Sequence, residues 1–184
     1  MELVAVVSVA LILMAIAVPN IMVSVRRHQF ESSARNVAES LLRTRYEAIQ
    51  RNQRLSTVFV AATPGVPAQY GIDRNGNGTL DGGEPSVMVF QGISLQNTGP
   101  ALDTMPPGYS AAVAPANLQI NFAPRGILVT ETAPGVWQDA ASVQVLFFWQ
   151  ANLGQWLAVT VTPPGRVRTF QWIQRSDGTW SWVS

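Results

Sequence analysis

The sequence predicts an α+β fold in which one long N-terminal helix packs on a β-rich globular head. Two observations support this prediction. The first 55 residues have helical spacing, and no glycine or proline interrupts residues 21–55. From Thr57 onward the chain changes to short β-type runs separated by Gly, Pro, Asn and Asp. Because a helix followed only by strands does not build a parallel βαβ sheet, we expect an antiparallel head, with two sheets.

The first half of the helix is an apolar run from Leu3 to Val23, broken only by Ser8, Pro19 and Asn20. About 20 helical residues rise ~30 Å, which is the thickness of the hydrocarbon core of a bilayer. Glu2 lies at the start of this run, where burial of its carboxylate is costly unless a cation pairs with it. The run therefore predicts a membrane-embedded helix whose Glu2 is either solvated or paired with a partner.

The second half of the helix is amphipathic. Its apolar residues recur at helical spacing, and acid-before-base pairs four residues apart, such as Glu39 with Arg43, lie between them. We therefore expect residues 1–55 to form a helix with its N-terminal half in the membrane and its C-terminal half packed on the head. Residues 56–184 are expected to form the head. The predicted strands are 57–62, 70–72, 86–90, 118–122, 126–130, 143–149, 156–161 and 167–172.

Several strings in the chain resemble one known family. Glu2 and Pro19, 17 positions apart around an apolar run, resemble the N-terminal helix of type IV pilins and type II secretion pseudopilins. Three later strings resemble the GspH/FimT family of minor pilins and minor pseudopilins: Arg45–Asn52, Ile120–Gly126 and Leu157–Arg168, the last ending in Gly-Arg-x-Arg. A plain signal-anchor helix is the alternative interpretation of the N-terminal run.

The resemblance implies a structural subunit rather than an enzyme. In that family the glutamate, here Glu2, neutralises the N-terminal amine of a neighbouring subunit in a helix-packed filament, and the proline, here Pro19, loosens the helix. It implies a single-pass protein of the bacterial inner membrane with a periplasmic head. That protein later joins a pilus or pseudopilus at or near its tip, with other pilin or pseudopilin subunits as partners. It also implies methylation and a leader before Glu2; a shortened sequence and a late start both remain open. Secretion, pilus and transformation systems remain open alternatives.

The segment from Asp73 to Glu84 matches the pattern of a calcium-binding loop. Oxygen-bearing residues occupy positions 1, 3, 5, 7, 9 and 12, with glycine at position 6; they are Asp73, Asn75, Asn77, Thr79, Asp81 and Glu84. The flanking runs predict strands, so this is not a helix-loop-helix sensor. The alternative is an Asx- and Gly-rich turn whose side chains cap their own backbone. No cofactor is required by the sequence, and Ca²⁺ is the one candidate.

Arginines near the C-terminus form a candidate DNA-binding element. Arg166 and Arg168 are two apart at the start of a predicted strand, and Arg175 follows close to the turn at Asp177-Gly178. In some FimT-like proteins a Gly-Arg-x-Arg element is associated with DNA capture. Two or three arginines with exposed tryptophans suit phosphates and bases. The alternative is a solvated strand whose tryptophans pack a core.

Composition argues against an enzyme. The chain has 184 residues, a net charge of +1, no cysteine and one histidine, His28, next to Arg27. It therefore has no thiol nucleophile or disulfide, and it does not supply a histidine-based triad or metal cluster. The glycines of residues 76–83 lack the lysine and helix of a phosphate-binding loop. We expect no small-molecule substrate.

Overall fold

The structure, a computed structural model, describes residues 2–63, 66–90 and 92–184. It begins with one helix, α1, which spans Glu2–Arg51 and contains 50 residues. At 1.5 Å per residue the helix is ~75 Å long. The side chains of Glu2 and Pro19 lie outside what the structure describes, so the predicted roles of these side chains are not addressed by it.

Helix α1 ends at Arg51, four residues before the end that the sequence predicts. The backbone N–H of Gln53 donates to the carbonyl of Ala48 (3.1 Å), and that of Asn52 to Ile49 (3.2 Å). Asn52 adopts φ 50°, and this left-handed residue with its two hydrogen bonds forms a Schellman cap. The absence of Gly and Pro therefore did not decide the helix end, because asparagine also tolerates this conformation.

Eleven strands follow α1 in the part of the chain that the structure describes. They are β1 (Leu55–Val60), β2 (Gln69–Asp73), β3 (Ser86–Met88), β4 (Ile93–Gln96), β5 (Gln119–Phe122), β6 (Leu128–Ala133), β7 (Val136–Asp139), β8 (Gln144–Gln150), β9 (Gln155–Val161), β10 (Val167–Gln174) and β11 (Trp180–Val183).

The strands form two antiparallel sheets. Sheet I has the order β3-β2-β1-β5-β6-β7, and sheet II has the order β11-β10-β9-β8-β4. Every pairing between named strands is antiparallel. The predicted α+β class, with one long helix on a two-sheet antiparallel head, is therefore confirmed. The sequence did not predict β4, β7 and β11, which have only four residues each.

The main core lies between α1 and the two sheets. Five residues of one helix face are fully or almost fully buried: Phe30, Ala34, Val37, Leu41 and Ala48. They pack with residues from both sheets, including Phe122 of β5 and Leu146 of β8. At the helix surface the hydroxyl groups of Thr44 and Thr57 form a buried hydrogen bond of 2.8 Å. The amphipathic half of the helix is thus the third layer of the head.

A second, smaller core covers the other face of sheet II. It contains Phe147 of β8, Phe170 of β10 and Trp182 of β11, together with Met105 from the segment that follows β4. The Trp182 indole N–H donates to the carbonyl of Ala101 at 3.0 Å. Residues 101–112 therefore form a cover over sheet II rather than a free loop.

Candidate functional site: the helix, its junction with the head, and two surface elements

The N-terminal half of α1 presents apolar side chains to solvent. The described examples are each about half exposed or more: Val7, Met14, Val18, Ile21, Met22, Val23 and Val25. Among the helix side chains that the structure describes, the first fully buried one is Phe30. Isolated soluble proteins rarely expose many neighbouring apolar side chains, and such surfaces commonly contact another apolar body. Among the residues that the structure describes, no helix is both long enough and apolar enough to cross a membrane.

Arg45 joins α1 to both sheets. Its Nε donates to the carbonyl of Gly126 (2.7 Å), in the turn between β5 and β6. Its Nη2 donates to the carbonyl of Pro164 (3.1 Å), in the turn between β9 and β10. We call this arrangement the Arg45 junction. It brings together the three strings that the sequence analysis singled out, and it gives each a physical role that sequence reasoning did not identify.

Two glycines make the close approach at the Arg45 junction feasible. A Cβ at Gly165 would overlap the carbonyl oxygen of Gly126 and come within 2.7 Å of Arg45 Nε. A Cβ at Gly126 would lie 2.6 Å from Cδ1 of Ile49. The glycines in these hairpins are therefore required by the contact with the helix as well as by the turns.

Other charged residues of the segment Arg45–Asn52 stabilise the same end of α1. Glu47 pairs with Arg51 at 2.8 Å and with Arg74 at 2.9 Å, and its side chain is only 12% exposed. Arg74 follows β2, so this ion pair connects the helix to sheet I. These contacts support the interpretation of the string as a helix that covers the sheets.

Residues 73–84 form a turn in which side-chain oxygens accept hydrogen bonds from the backbone. The carboxylate of Asp73 is buried and accepts from the N–H groups of Gly76 (2.6 Å) and Gly78 (2.8 Å) and from Ser56 Oγ (3.2 Å). Glu84 Oε1 accepts from the N–H of Arg74 at 2.7 Å.

The remaining residues of this turn bond to each other. Asp81 Oδ2 accepts from the amide groups of Asn75 (2.7 Å) and Asn77 (2.8 Å). Asn77 Oδ1 accepts from both the N–H and the hydroxyl of Thr79, each at 2.8 Å. The oxygens at the predicted ligand positions thus satisfy donors of the turn itself. Within the described ranges, no three His, Asp or Glu side chains are grouped so as to hold a metal ion.

In the candidate DNA element, the structure separates Arg175 from Arg168. Arg166 and Arg168 are both exposed. Arg168 lies on the same face of β10 as Phe170 and Trp172, because alternate strand residues share a face. Its guanidinium is 5.9 Å from the ring centroid of Tyr109. Arg175 instead donates from Nε to the Ser181 hydroxyl (2.7 Å).

Trp172, Trp180 and Trp182 lie on the same face of sheet II as Arg168. Trp172 pairs with Trp182 across β10 and β11, and the Trp172 and Trp180 rings are nearly parallel, at 13° with centroids 6.2 Å apart. Ser181 has the opposite orientation to Trp180 and Trp182, so Arg175 belongs to the other face. Arg168 therefore lies on the face of sheet II that carries these aromatic residues, whereas Arg175 does not.

Burial changes the proton affinity of one group in the core. Tyr70 of β2 is buried against Phe59, with ring centroids 6.2 Å apart. Desolvation, with a smaller contribution from the negative charge of Glu39, raises the pKa of the Tyr70 hydroxyl to about 12. At neutral pH this group is a neutral structural side chain.

The structure is thus a long helix packed on two antiparallel sheets, with described apolar side chains exposed along the N-terminal half of the helix. A sequence model of the GspH family, described as type II transport protein GspH, matches residues 33–165, which is well over half of the chain. The chain therefore belongs to the GspH family. The predicted family is confirmed, and the family consists of structural, non-enzymatic components, which confirms the prediction that the protein is not an enzyme.

A solved structure was also found to be similar. The crystal structure of the type IV minor pilin FimU from Pseudomonas aeruginosa (strain PAO1) aligns with a TM-score of 0.47 and 15% sequence identity. The alignment covers 78% of this chain and 89% of the FimU chain. Among curated proteins, no significant sequence match is found.

Proposed function

We propose that this protein is a minor pilin or pseudopilin subunit that enters a type IV pilus or a type II secretion pseudopilus through α1. In the proposal, the protein before assembly is a single-pass protein of the bacterial inner membrane, with the head in the periplasm. It then joins other pilin or pseudopilin subunits at or near the filament tip. The observation that carries the proposal is the exposed apolar surface of α1, continuous with a helix half that is fixed on the head.

The hydrophobic free energy of the apolar side chains of α1 allows the helix to move from lipid into a bundle of helices. Side chains such as Ile21 (61% exposed) and Met14 (62% exposed) lose contact with water in either lipid or a helix bundle. Because lipid and neighbouring helices are similarly apolar, the transfer changes hydrophobic free energy little, and packing with polar pairing decides the assembled state. We propose that Glu2 contributes to this polar pairing, because its carboxylate would pair with the N-terminal amine of a neighbouring subunit.

Two substitutions test the proposal. Ile21→Arg places a charge on the helix surface and is expected to reduce incorporation into filaments at least tenfold, measured by immunoblotting of sheared filaments. Val66→Arg, at an apolar head residue that is 53% exposed, is the matched control and should be incorporated normally. Glu2→Leu should still insert in the membrane and yet fail to enter filaments. Normal incorporation of Ile21→Arg would contradict assembly through this helix surface.

DNA binding through Arg166 and Arg168 is a second candidate function. It is favoured by the position of Arg168 beside Tyr109, on the sheet face that also carries Trp172 and the exposed Trp180, since arginine with aromatic rings suits phosphates and unstacked bases. The test is a fluorescence titration of the full chain in detergent with labelled DNA at several salt concentrations. Loss of salt-sensitive binding in Arg166→Ala/Arg168→Ala, and its retention in Arg125→Ala, would support this function. No binding by the wild type at low salt would exclude it.

A further inference from the structure

Both Asn-Gly pairs of the sequence lie in the turn of residues 73–84. They are Asn75-Gly76 and Asn77-Gly78, and all four residues are exposed to solvent. An asparagine followed by glycine is the one whose side chain deamidates most readily, because glycine has no Cβ to hinder its own backbone nitrogen. The two glycines adopt φ +75° and +79°, and a Cβ at Gly76 would meet nothing within 4 Å. Sequence, exposure and space thus leave both asparagines open to this reaction.

Deamidation begins when the backbone nitrogen of the glycine attacks Cγ of the preceding asparagine. A C–N bond forms and closes a succinimide ring, the nitrogen gives up its proton, and Nδ2 takes up a proton and departs as ammonia. Water then opens the ring at either carbonyl and gives aspartate or isoaspartate. The net change is the uptake of one water and the loss of one ammonia. Because the nucleophile is the deprotonated glycine nitrogen, a group that holds the N–H proton slows the reaction.

In the folded head, Asp73 holds both of these protons. The N–H of Gly76 donates to Asp73 Oδ1 (2.6 Å), and the N–H of Gly78 donates to Asp73 Oδ2 (2.8 Å). The carboxylate is itself fixed, because Asp73 is fully buried and Ser56 Oγ donates to its Oδ2 at 3.2 Å. A carboxylate at this distance stabilises the N–H form and opposes the negative charge of a deprotonated nitrogen. One buried side chain therefore restrains both nucleophiles.

The asparagine side chains are oriented by the same turn. Asn75 and Asn77 both donate from Nδ2 to Asp81 Oδ2, at 2.7 and 2.8 Å. Deamidation to aspartate would replace each of these donors with a negatively charged oxygen, which repels the carboxylate of Asp81. A turn that has reacted therefore does not close again with the same hydrogen bonds.

We propose that the turn of residues 73–84 is a latent deamidation site that Asp73 keeps closed. While the two N–H groups donate to Asp73, Asn75 and Asn77 are preserved. When the turn opens, they convert to aspartate or isoaspartate, and each conversion adds one negative charge to an exposed part of the head. The extent of conversion is thus a permanent record of local opening of this turn. The inference concerns the head alone and does not depend on how α1 assembles.

The experiment measures deamidation of the full chain in mild detergent during incubation at mildly alkaline pH. Trypsin cleaves after Arg74 and Arg125, so both Asn-Gly pairs fall in one peptide, where fragmentation in the mass spectrometer locates each conversion. The exposed Asn97, followed by threonine, lies in the same peptide and is the internal reference. We expect Asn75 and Asn77 to react on the order of tenfold more slowly in the folded wild type than in concentrated urea. Equal rates in the two states would overturn the proposal.

Asp73→Ala tests the restraint itself. It is expected to speed conversion of both asparagines about tenfold or more, because each glycine N–H loses a charged acceptor. Glu84→Ala is the matched control, since Glu84 also closes the turn but accepts from the N–H groups of Arg74 and Asn75, which are not the nucleophiles. An unchanged or slower rate in Asp73→Ala, or equal acceleration in Glu84→Ala, would overturn the proposal.

A second variant covers the case in which Asp73→Ala does not fold, judged by its melting curve. Asp73→Asn keeps the size of the side chain but offers one oxygen in place of two, so it frees one of the two glycine N–H groups. Acceleration at one of the two asparagines is expected, and no acceleration at either would overturn the proposal. Residue 73 precedes the cleavage after Arg74, so a reaction of the new side chain is measured in a separate peptide.

Discussion

The Arg45 junction makes a sharp prediction for Gly165→Ala. Gly165 adopts φ +78°, and a Cβ there would meet the carbonyl oxygen of Gly126 and Arg45 Nε. Gly135 has almost the same backbone conformation, φ +77°, and a Cβ there would meet nothing within 4 Å. Gly135→Ala therefore measures the backbone strain alone, whereas Gly165→Ala adds displacement of Arg45 from its two carbonyl partners.

The two contributions differ enough to be measured. An alanine in the left-handed region costs ~1–2 kcal/mol. A hydrogen bond from a charged donor contributes ~1.5–3 kcal/mol, and we discount the bond to Pro164 because it is exposed. We expect Gly135→Ala to lower the free energy of unfolding by ~1 kcal/mol and Gly165→Ala by ~3 kcal/mol. For a chain of this size, these values correspond to losses in Tm of ~2–4 °C and ~6–12 °C.

The assay is chemical and thermal denaturation of the full chain in mild detergent, followed by near-ultraviolet circular dichroism of the tryptophans. Arg45→Ala is combined with Gly165→Ala in a double-mutant cycle. If both changes act on the same contacts, their effects will be strongly non-additive. Equal destabilisation by Gly165→Ala and Gly135→Ala, within ~0.5 kcal/mol, would refute the role of the close approach.

Two further predictions concern Tyr70 and Asp73. The raised pKa of Tyr70 means that the unfolded state ionises first as pH rises, so stability is complete below pH ~10 and falls between pH ~10 and about 12. We expect ~1–2 kcal/mol of this loss to disappear in Tyr70→Phe, measured by urea denaturation at pH 8 and pH 11; an identical loss in the variant would contradict this. For the turn of residues 73–84, Asp73→Ala should lower the free energy of unfolding by ~2–3 kcal/mol without added metal, because it removes the charged acceptor of the Gly76 and Gly78 N–H groups and of the buried Ser56 hydroxyl. A saturable rise in wild-type Tm on adding Ca²⁺, abolished in Asp73→Ala, would instead establish the calcium loop.

The helix and most strands were predictable because their signals are local. The buried positions Phe30, Ala34, Val37 and Leu41 recur at helical spacing, and long strands such as β8 and β9 have clear apolar runs. Strands β4, β7 and β11 are short and depend on pairing with a neighbour, which a single sequence does not display. The end of α1 was missed because the prediction treated only Gly and Pro as helix breakers, whereas asparagine, here Asn52, also adopts the left-handed conformation that ends a helix.

In the candidate sites too, local sequence features were predictable, whereas contacts that depend on the fold were not. The spacing of residues 73–84 correctly predicts a turn rich in side-chain oxygens, but the partners of those oxygens depend on the fold. Arg168 and Arg175 are close in sequence, yet the strand alternation and the bond to Ser181 place them on opposite faces.

The Arg45 junction also has a mechanical consequence. Arg45 connects the helix to a turn of sheet I and a turn of sheet II, six residues before α1 ends at Arg51. A pull along α1 is therefore shared by both sheets and does not pass only through the short connection to β1. Because both sheets are attached to α1 in this way, a tilt of the helix reorients the whole head.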